Sequence, residues 1–220
     1  MRINKFLAQN TQLSRRSADA AVQDGRVTVN GVRATLGSAV TDASQVTLDG
    51  AKIIPRNHTT TLTLHKPVGY VCSRNGQGSP TVYELLPPEF HALNMVGRLD
   101  KDSSGLLLLT DDGDFANHLT HPKFAKAKRY EVTLDTALQP LHQQMISDYG
   151  VTLGDGKSTF VVTRIDDRPN TYEAVLSEGR NRQIRRTFAA LGYTVTVLHR
   201  TNFGPYALNG LQSGSFTTVD

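Results

Sequence analysis

Apolar residues recur at helical spacing at the start of the chain, at Ile3, Phe6 and Leu7, and again after Ser14, where Ala18, Ala21 and Val22 share one face before Asp24-Gly25 stops the run. Two short helices are expected, the second capped by Ser14. The period then changes from helical to alternating. Arg26-Val27-Thr28-Val29 and Gln45-Val46-Thr47-Leu48 read as strands, with Asn30-Gly31 as a hairpin turn after the first and Asp49-Gly50 closing the second. Residues 1–57 are therefore expected to fold as a helix pair on a small sheet. Residues 52–60 combine Pro55 with polar and hydroxyl side chains, lack a period, and read as a linker.

From residue 61 short apolar runs alternate with helical patterns. Strands are expected at 62–64 and, after a Lys66-Pro67 break, at 68–72. Others are expected at the leucine run Leu106-Leu107-Leu108-Leu109, and at 129–134, 159–165, 171–177 and 194–198. Helices are expected at 114–119, 141–149 and 182–190, and a loop at 74–80. So many strands on short connections predict a mixed, mostly antiparallel sheet flanked by helices over residues 61–220. The fold class is α+β: a small N-terminal helix-pair and β domain, then a larger sheet domain.

Composition narrows the classes. With 38% hydrophobic and 20% charged residues, no apolar run near the length of a membrane span and no secretory leader pattern, a cytoplasmic protein that meets no membrane is expected. The single Cys72 excludes an internal disulfide and an all-Cys metal site, and reads as a buried small hydrophobe. The seven histidines lack ligand spacing, so no metal site is expected. Charge changes the picture more. Residues 1–57 hold eight Lys/Arg against four Asp/Glu, which leaves sixteen against sixteen of the total 24 and 20 in the rest, so the whole net charge of +4 belongs to the N-terminal module. That asymmetry suggests a basic module facing RNA through Arg2, Lys5, Arg15, Arg16, Arg26 and Arg33. Few aromatics occur there, so base stacking is not its means of binding.

Val96-Gly97-Arg98-Leu99-Asp100-Lys101-Asp102-Ser103-Ser104-Gly105 sets a guanidinium and a carboxylate two residues apart just before the leucine strand, as an active-site loop on a rigid support requires. Glu178-Gly179-Arg180-Asn181-Arg182-Gln183-Ile184-Arg185-Arg186 opens a late helix with four arginines in nine residues, and Lys128-Arg129-Tyr130-Glu131-Val132 opens a strand. Taken singly, each has a plain structural reading: Asp100 caps a turn, Tyr130 fills a core, and the arginines solvate a helix face.

Together these segments, with His65-Lys66-Pro67-Val68-Gly69-Tyr70-Val71, resemble the ribosomal RNA pseudouridine synthases of the RsuA and RluB type. Arg2-Ile3-Asn4-Lys5-Phe6-Leu7, Ser14-Arg15-Arg16-Ser17-Ala18 and Gly25-Arg26-Val27-Thr28-Val29-Asn30-Gly31 resemble the alpha-L RNA-binding motif. The resemblance implies an isomerase that converts one uridine of ribosomal RNA to pseudouridine on a flipped-out nucleotide, needs no cofactor, and meets ribosomal RNA or a subunit assembly intermediate as a monomer. It implies Asp100 as the catalytic carboxylate, paired with Arg185, and Tyr130 as the residue that stacks on the uracil. It places Ile184 beneath the base and Arg98 either in the gap that the extruded nucleotide leaves or on that nucleotide's backbone, and Arg180, Arg182, Arg186 and Lys128 suit its phosphates. Three actions of the ionised Asp100 stay open: addition to the anomeric carbon, addition to carbon 6, or removal of a sugar proton. Two rivals compete, a non-catalytic RNA-binding or ribosome-assembly factor that retains the fold, and a hydrolase using Asp100 with Asp102. The intact Arg98, Asp100, Tyr130 and Arg185 set argues against the first, and the basic N-terminal module against the second.

Overall fold

A computed structural model describes every residue except Asn57, Asp166 and Asp220, so the domain limits expected at residues 57 and 220 lie outside the described residues. The chain divides into two compact units, Met1–Thr59 with Asp111–Gly113, and Thr60–Thr110 with Asp114–Asp220.

In the first unit α1 (Ile3–Asn10) buries Ile3, Phe6 and Leu7, the residues whose spacing predicts the helix. Helix α2 (Arg15–Gln23) begins on Ser14, whose hydroxyl accepts the Ser17 N–H at 3.1 Å, and buries Ala18, Ala21 and Val22. Strands β1 (Val27–Val29), β2 (Val32–Arg33), β3 (Val46–Leu48) and β4 (Ala51–Lys52) form an antiparallel sheet in the order β2-β1-β3-β4. Lys52, expected to open the linker, is instead the end of β4. Asp49 and Gly50 both take positive φ, 52° and 80°, and so turn β3 back into a paired strand rather than ending the sheet. Val27, Ala34, Val40 and Val46 close the core under the helices.

The second unit contains β5 (Thr61–Lys66), β6 (Asn94–Val96), β7 (Ser104–Thr110), α3 (Gly113–Thr120) and β8 (Lys128–Leu134), then α4 (Pro140–Gln144), β9 (Val151–Leu153), β10 (Gly156–Ser158), β11 (Val161–Arg164) and β12 (Thr171–Leu176). It ends with α5 (Gln183–Ala190), β13 (Val195–Phe203), β14 (Tyr206–Ala207) and β15 (Phe216–Thr218). The main sheet runs β11-β12-β8-β13-β7-β5-β15, with β14 on β13 and β6 on β7. Only β13 with β7 is parallel among its pairings. The leucine strand β7 shows no alternation because both its faces are covered: Leu107 and Leu109 belong to the buried core that includes Ile184 and Phe188 of α5, and Leu106 and Leu108 to the one that includes Leu119 of α3. All four leucines are fully buried, each worth about 1.5–3 kcal/mol relative to exposure.

Some expectations change. No strand forms at 68–72: Pro67 has no N–H, the Gly69 N–H is taken by the Lys101 carbonyl at 2.8 Å, and Val71 makes only a single bridge to Thr81. The helix expected at 141–149 is α4 followed by a wider π-helical turn at Met145–Tyr149. Strand β13 runs five residues beyond the expected 198, because its polar stretch His199-Arg200-Thr201-Asn202 pairs with β8 across a bulge.

Four residues lie in register across one row of the sheet: Lys66 opposite Gly105, Gly105 opposite Arg200, and Arg200 opposite Tyr130. Gly105 has φ +111°, and a Cβ there would lie 2.2 Å from the Arg200 carbonyl oxygen and 2.5 Å from its nitrogen. Only glycine fits. Gly105→Ala should therefore cost about 2–4 kcal/mol by breaking the β7–β13 contact, a loss to be read from the urea midpoint at constant slope.

Candidate active site

The loop between β6 and β7 is built around a cation. Lys66 ends β5 fully buried, and its ammonium donates to the carbonyls of Pro67 at 3.0 Å, Asp100 at 3.0 Å and Ser103 at 2.6 Å. An ammonium has three protons, and three carbonyls receive them. Burial pushes the Lys66 pKa down, with Cys72, Asp100 and Asp102 opposing the shift. Leu99 is anchored by its N–H to the Sγ of the buried Cys72 at 3.3 Å, and the Ser103 N–H returns to the Asp100 carbonyl at 3.1 Å. The backbone of Asp100 is thus fixed on both sides while its carboxylate stays half-buried.

That carboxylate faces a cleft of about 760 Å³, lined among others by Arg98, Asp100, Lys128, Tyr130, Ile184 and Arg200. Tyr130 and Ile184 are buried, Arg98 is exposed, and Leu198 adds a further buried apolar wall. Lys128 lies 5.1 Å over the Phe203 ring, and its pKa is pushed down by burial and then by Arg200. The cleft therefore joins the Asp100 carboxylate, with Glu178 also in its lining, to apolar and aromatic walls and a cationic surround.

The arginines are distributed differently from the expectation. Arg182, expected on a phosphate, is the cation on Asp100, with Nη1 3.4 Å from Oδ2. Its guanidinium also holds Asp102 through two bonds of 3.0 and 2.9 Å, and that bond keeps the Asp102 carboxyl below the usual carboxylate range. Arg185, expected on Asp100, instead donates to the Val195 and Asp102 carbonyls at 2.8 Å each, with Nε 3.3 Å from the Asp102 carboxylate. The reason is backbone geometry. Arg182 sits at the start of α5 in the left-handed region, φ 46° and ψ 34°, which turns its side chain toward the loop. Arg180 and Arg186 also have protein partners in place of phosphates: Arg186 makes a two-bonded pair with Asp155, and Arg180 bonds Asp155 and the carbonyls of Gly156 and Lys157. Together with Gln183 and Thr187 on Ser158, they pin the start of α5 to the β9–β10 hairpin.

In the first unit Arg2, Arg15, Arg16 and Arg33 are exposed and Lys5 is half-buried. Arg26 is closed by Asp49, with bonds of 2.8 and 2.6 Å. Two residues of the second unit went unnoticed in the sequence. Lys66 reads there as part of a Lys-Pro break, and Arg200 as one polar residue past a strand's end. The unused signal for the hairpin that bears Asp155 was Gly154-Asp155-Gly156.

A cleft on a mixed sheet, with one carboxylate fixed from below and cations around it, joined to a small basic helix-pair module, is the build of an RNA-modifying enzyme. Comparison with known proteins agrees. The family described as RNA pseudouridylate synthase matches residues 60–190, and the S4 domain family matches residues 1–46. The chain is 38% identical to "Ribosomal small subunit pseudouridine synthase A" of Pasteurella multocida (strain Pm70), covering 100% of this chain and 96% of the relative. It is 34% identical to "Ribosomal large subunit pseudouridine synthase B" of Bacillus subtilis (strain 168), over 97% and 89%. A crystal structure titled as that of a pseudouridylate synthase superposes with a TM-score of 0.71 at 30% identity, covering 100% of this chain and 96% of the other. The chain belongs to the RNA pseudouridylate synthase family and is an isomerase.

Two outcomes follow from the loop's electrostatics. Lys66→Met leaves three carbonyls without their donor, and should cost about 2–4 kcal/mol in urea unfolding and most of the activity. Asp102 has a folded pKa below its unfolded value of about 3.9, so the stability it adds is present above that pH and is lost as pH falls through the lower folded value. Asp102→Asn should flatten that limb of the stability curve, as measured by urea unfolding between about pH 2 and 5.

Proposed function

We propose that this protein isomerises one uridine of ribosomal RNA to pseudouridine in the cytoplasm, with Asp100 as the catalytic carboxylate. The observation that carries the reading is the convergence of three independent fixings on Asp100. Its backbone is held by the buried Lys66, its neighbour Leu99 is held by Cys72, and its carboxylate lies 3.4 Å from Arg182 yet remains about one-third exposed in the cleft. A carboxylate so placed has a cation at its side and still reaches a ligand.

The chemistry assigns the other residues. Tyr130 stacks on an extruded uracil, Ile184 and Leu198 exclude water from beside it, and Arg98 occupies the place the nucleotide leaves, offsetting an unstacking cost of a few kcal/mol. Arg182 pairs with Asp100, and Arg185 supports it through Asp102 and the loop backbone. Lys128 meets the phosphates of the target strand. Residues 1–57 hold structured RNA through Arg2, Lys5, Arg15, Arg16 and Arg33, contacts that position without reading sequence, while residues from about 61 onward perform the isomerisation. Relatives named for either ribosomal subunit match along nearly the whole chain, which supports ribosomal RNA as the substrate class.

Pseudouridine mapping across both large ribosomal RNAs, in a strain lacking the gene and in its parent, should show one site lost and restored by the wild-type gene. Asp100→Asn should fail to restore it while folding and binding RNA normally. A complete set of pseudouridines in the deletion strain refutes the reading.

A further inference from the structure

Arg200 is 1% exposed, among the most deeply buried large side chains of the protein. Its Nε donates to the Leu106 carbonyl at 2.8 Å, and its guanidinium lies 5.0 Å over the Phe203 ring. Its Nη2 is buried and has no hydrogen-bond partner among the described residues. A buried guanidinium with an unused donor is costly, so its retention asks for a partner outside the folded chain. Its position says what that partner is. Arg200 lines the same cleft as Asp100, directly across the sheet from Tyr130 on one side and from Gly105 on the other. Gly105 contributes no side chain, so the row from Lys66 to Tyr130 has room for a second buried cation.

Building on the function proposed above, we infer that Arg200 is a catalytic residue that donates to a carbonyl oxygen of the extruded uracil and stabilises the negative charge the base carries once it is detached. When the bond between uracil N1 and the anomeric carbon breaks, its electron pair leaves with the base. The charge then spreads over N1 and the carbonyl oxygens O2 and O4. On the sugar the vacancy at the anomeric carbon is met either by a bond from the Asp100 carboxylate or, after loss of the neighbouring C2′ proton, by a glycal double bond. The base turns, carbon 5 bonds the anomeric carbon as the Asp100 bond breaks or the proton returns to C2′, the carbon 5 proton leaves to water or a basic group, and N1, which kept the electron pair of the broken bond, takes up a proton from water. The reaction is then balanced as an isomerisation. A fixed cation beside the stacked base acts only while that anion exists, and in a dry site it needs no reorganisation. Lys66 does not take this role, because all three of its protons are given to the loop.

The test uses the full-length protein and ribosomal RNA from a strain lacking the gene, labelled with tritium at uracil carbon 5, under single-turnover conditions. Arg200→Met should slow tritium release about a hundredfold, the size of effect seen when one such donor is removed, with RNA affinity unchanged. Arg200→Lys, which keeps the charge but not the fork, should recover about tenfold of that loss. Release by Arg200→Met within about threefold of wild type overturns the inference. So does a loss of affinity instead of rate, which makes Arg200 a phosphate contact, or a folded lysine variant no faster than the methionine one. If only the methionine variant fails to unfold cooperatively, the lysine variant decides, about tenfold slower than wild type in support and equal to wild type against. Failure of both to fold makes Arg200 a structural cation and overturns the inference. Absence of release by the wild-type protein counts against the proposed function itself.

Discussion

The buried ammonium of Lys66 is the constraint on which the site depends. A charge taken out of water must be fully paired, and here the partners are backbone carbonyls contributed by Pro67, Asp100 and Ser103. Because those carbonyls must converge on one nitrogen, the chain after β5 and the chain before β7 are forced into a single geometry. The carboxylate of Asp100 is left to line the cleft, 3.4 Å from Arg182. A lysine outside the lining of the cleft thereby determines where the Asp100 carboxylate can act.

A second layer of electrostatics surrounds this one. Asp102 neutralises Arg182 and approaches Arg185, while Asp155 neutralises Arg186 and meets Arg180. Two carboxylates thus take up four arginines, and the start of α5 is tied both to the Asp100 loop and to the β9–β10 hairpin. Exposed pairs of this kind add little stability, since solvent screens them. Their effect is to choose which cation reaches Asp100. The left-handed backbone at Arg182, a conformation that costs a side-chain-bearing residue about 1–2 kcal/mol, persists because the Asp100 and Asp102 carboxylates both pair with its guanidinium. Strain and charge pairing meet at the same residue, beside the carboxylate assigned to the chemistry.

How much of this could be read from the residues alone varies with the distance over which each feature is decided. The first helices were legible because Ile3, Phe6, Leu7, Ala18, Ala21 and Val22 follow the helical period, and Ser14 supplies its own cap. Strand β7 was legible as an unbroken leucine run. The return of β4 after Asp49-Gly50 was missed because both its residues are exposed and carry no period. Most of β13 beyond Leu198 was missed because a charged residue in a strand reads as a loop, and its burial comes from neighbouring strands.

By itself the sequence determined the α+β class, the order of a basic module before a sheet domain, and the residues of the Asp100 loop, since each is written in local period, turn chemistry and motif. The tertiary structure alone decided which arginine meets Asp100, that Arg26, Arg180 and Arg186 are held by acids of this chain, and that Lys66, Gly105, Arg200 and Tyr130 share one row. Those are questions of which distant groups share a few ångströms. Charges spaced along a chain carry no record of their partners. Partnership follows from strand register and from the cost of leaving a buried cation unpaired, and both exist only once the sheet has formed.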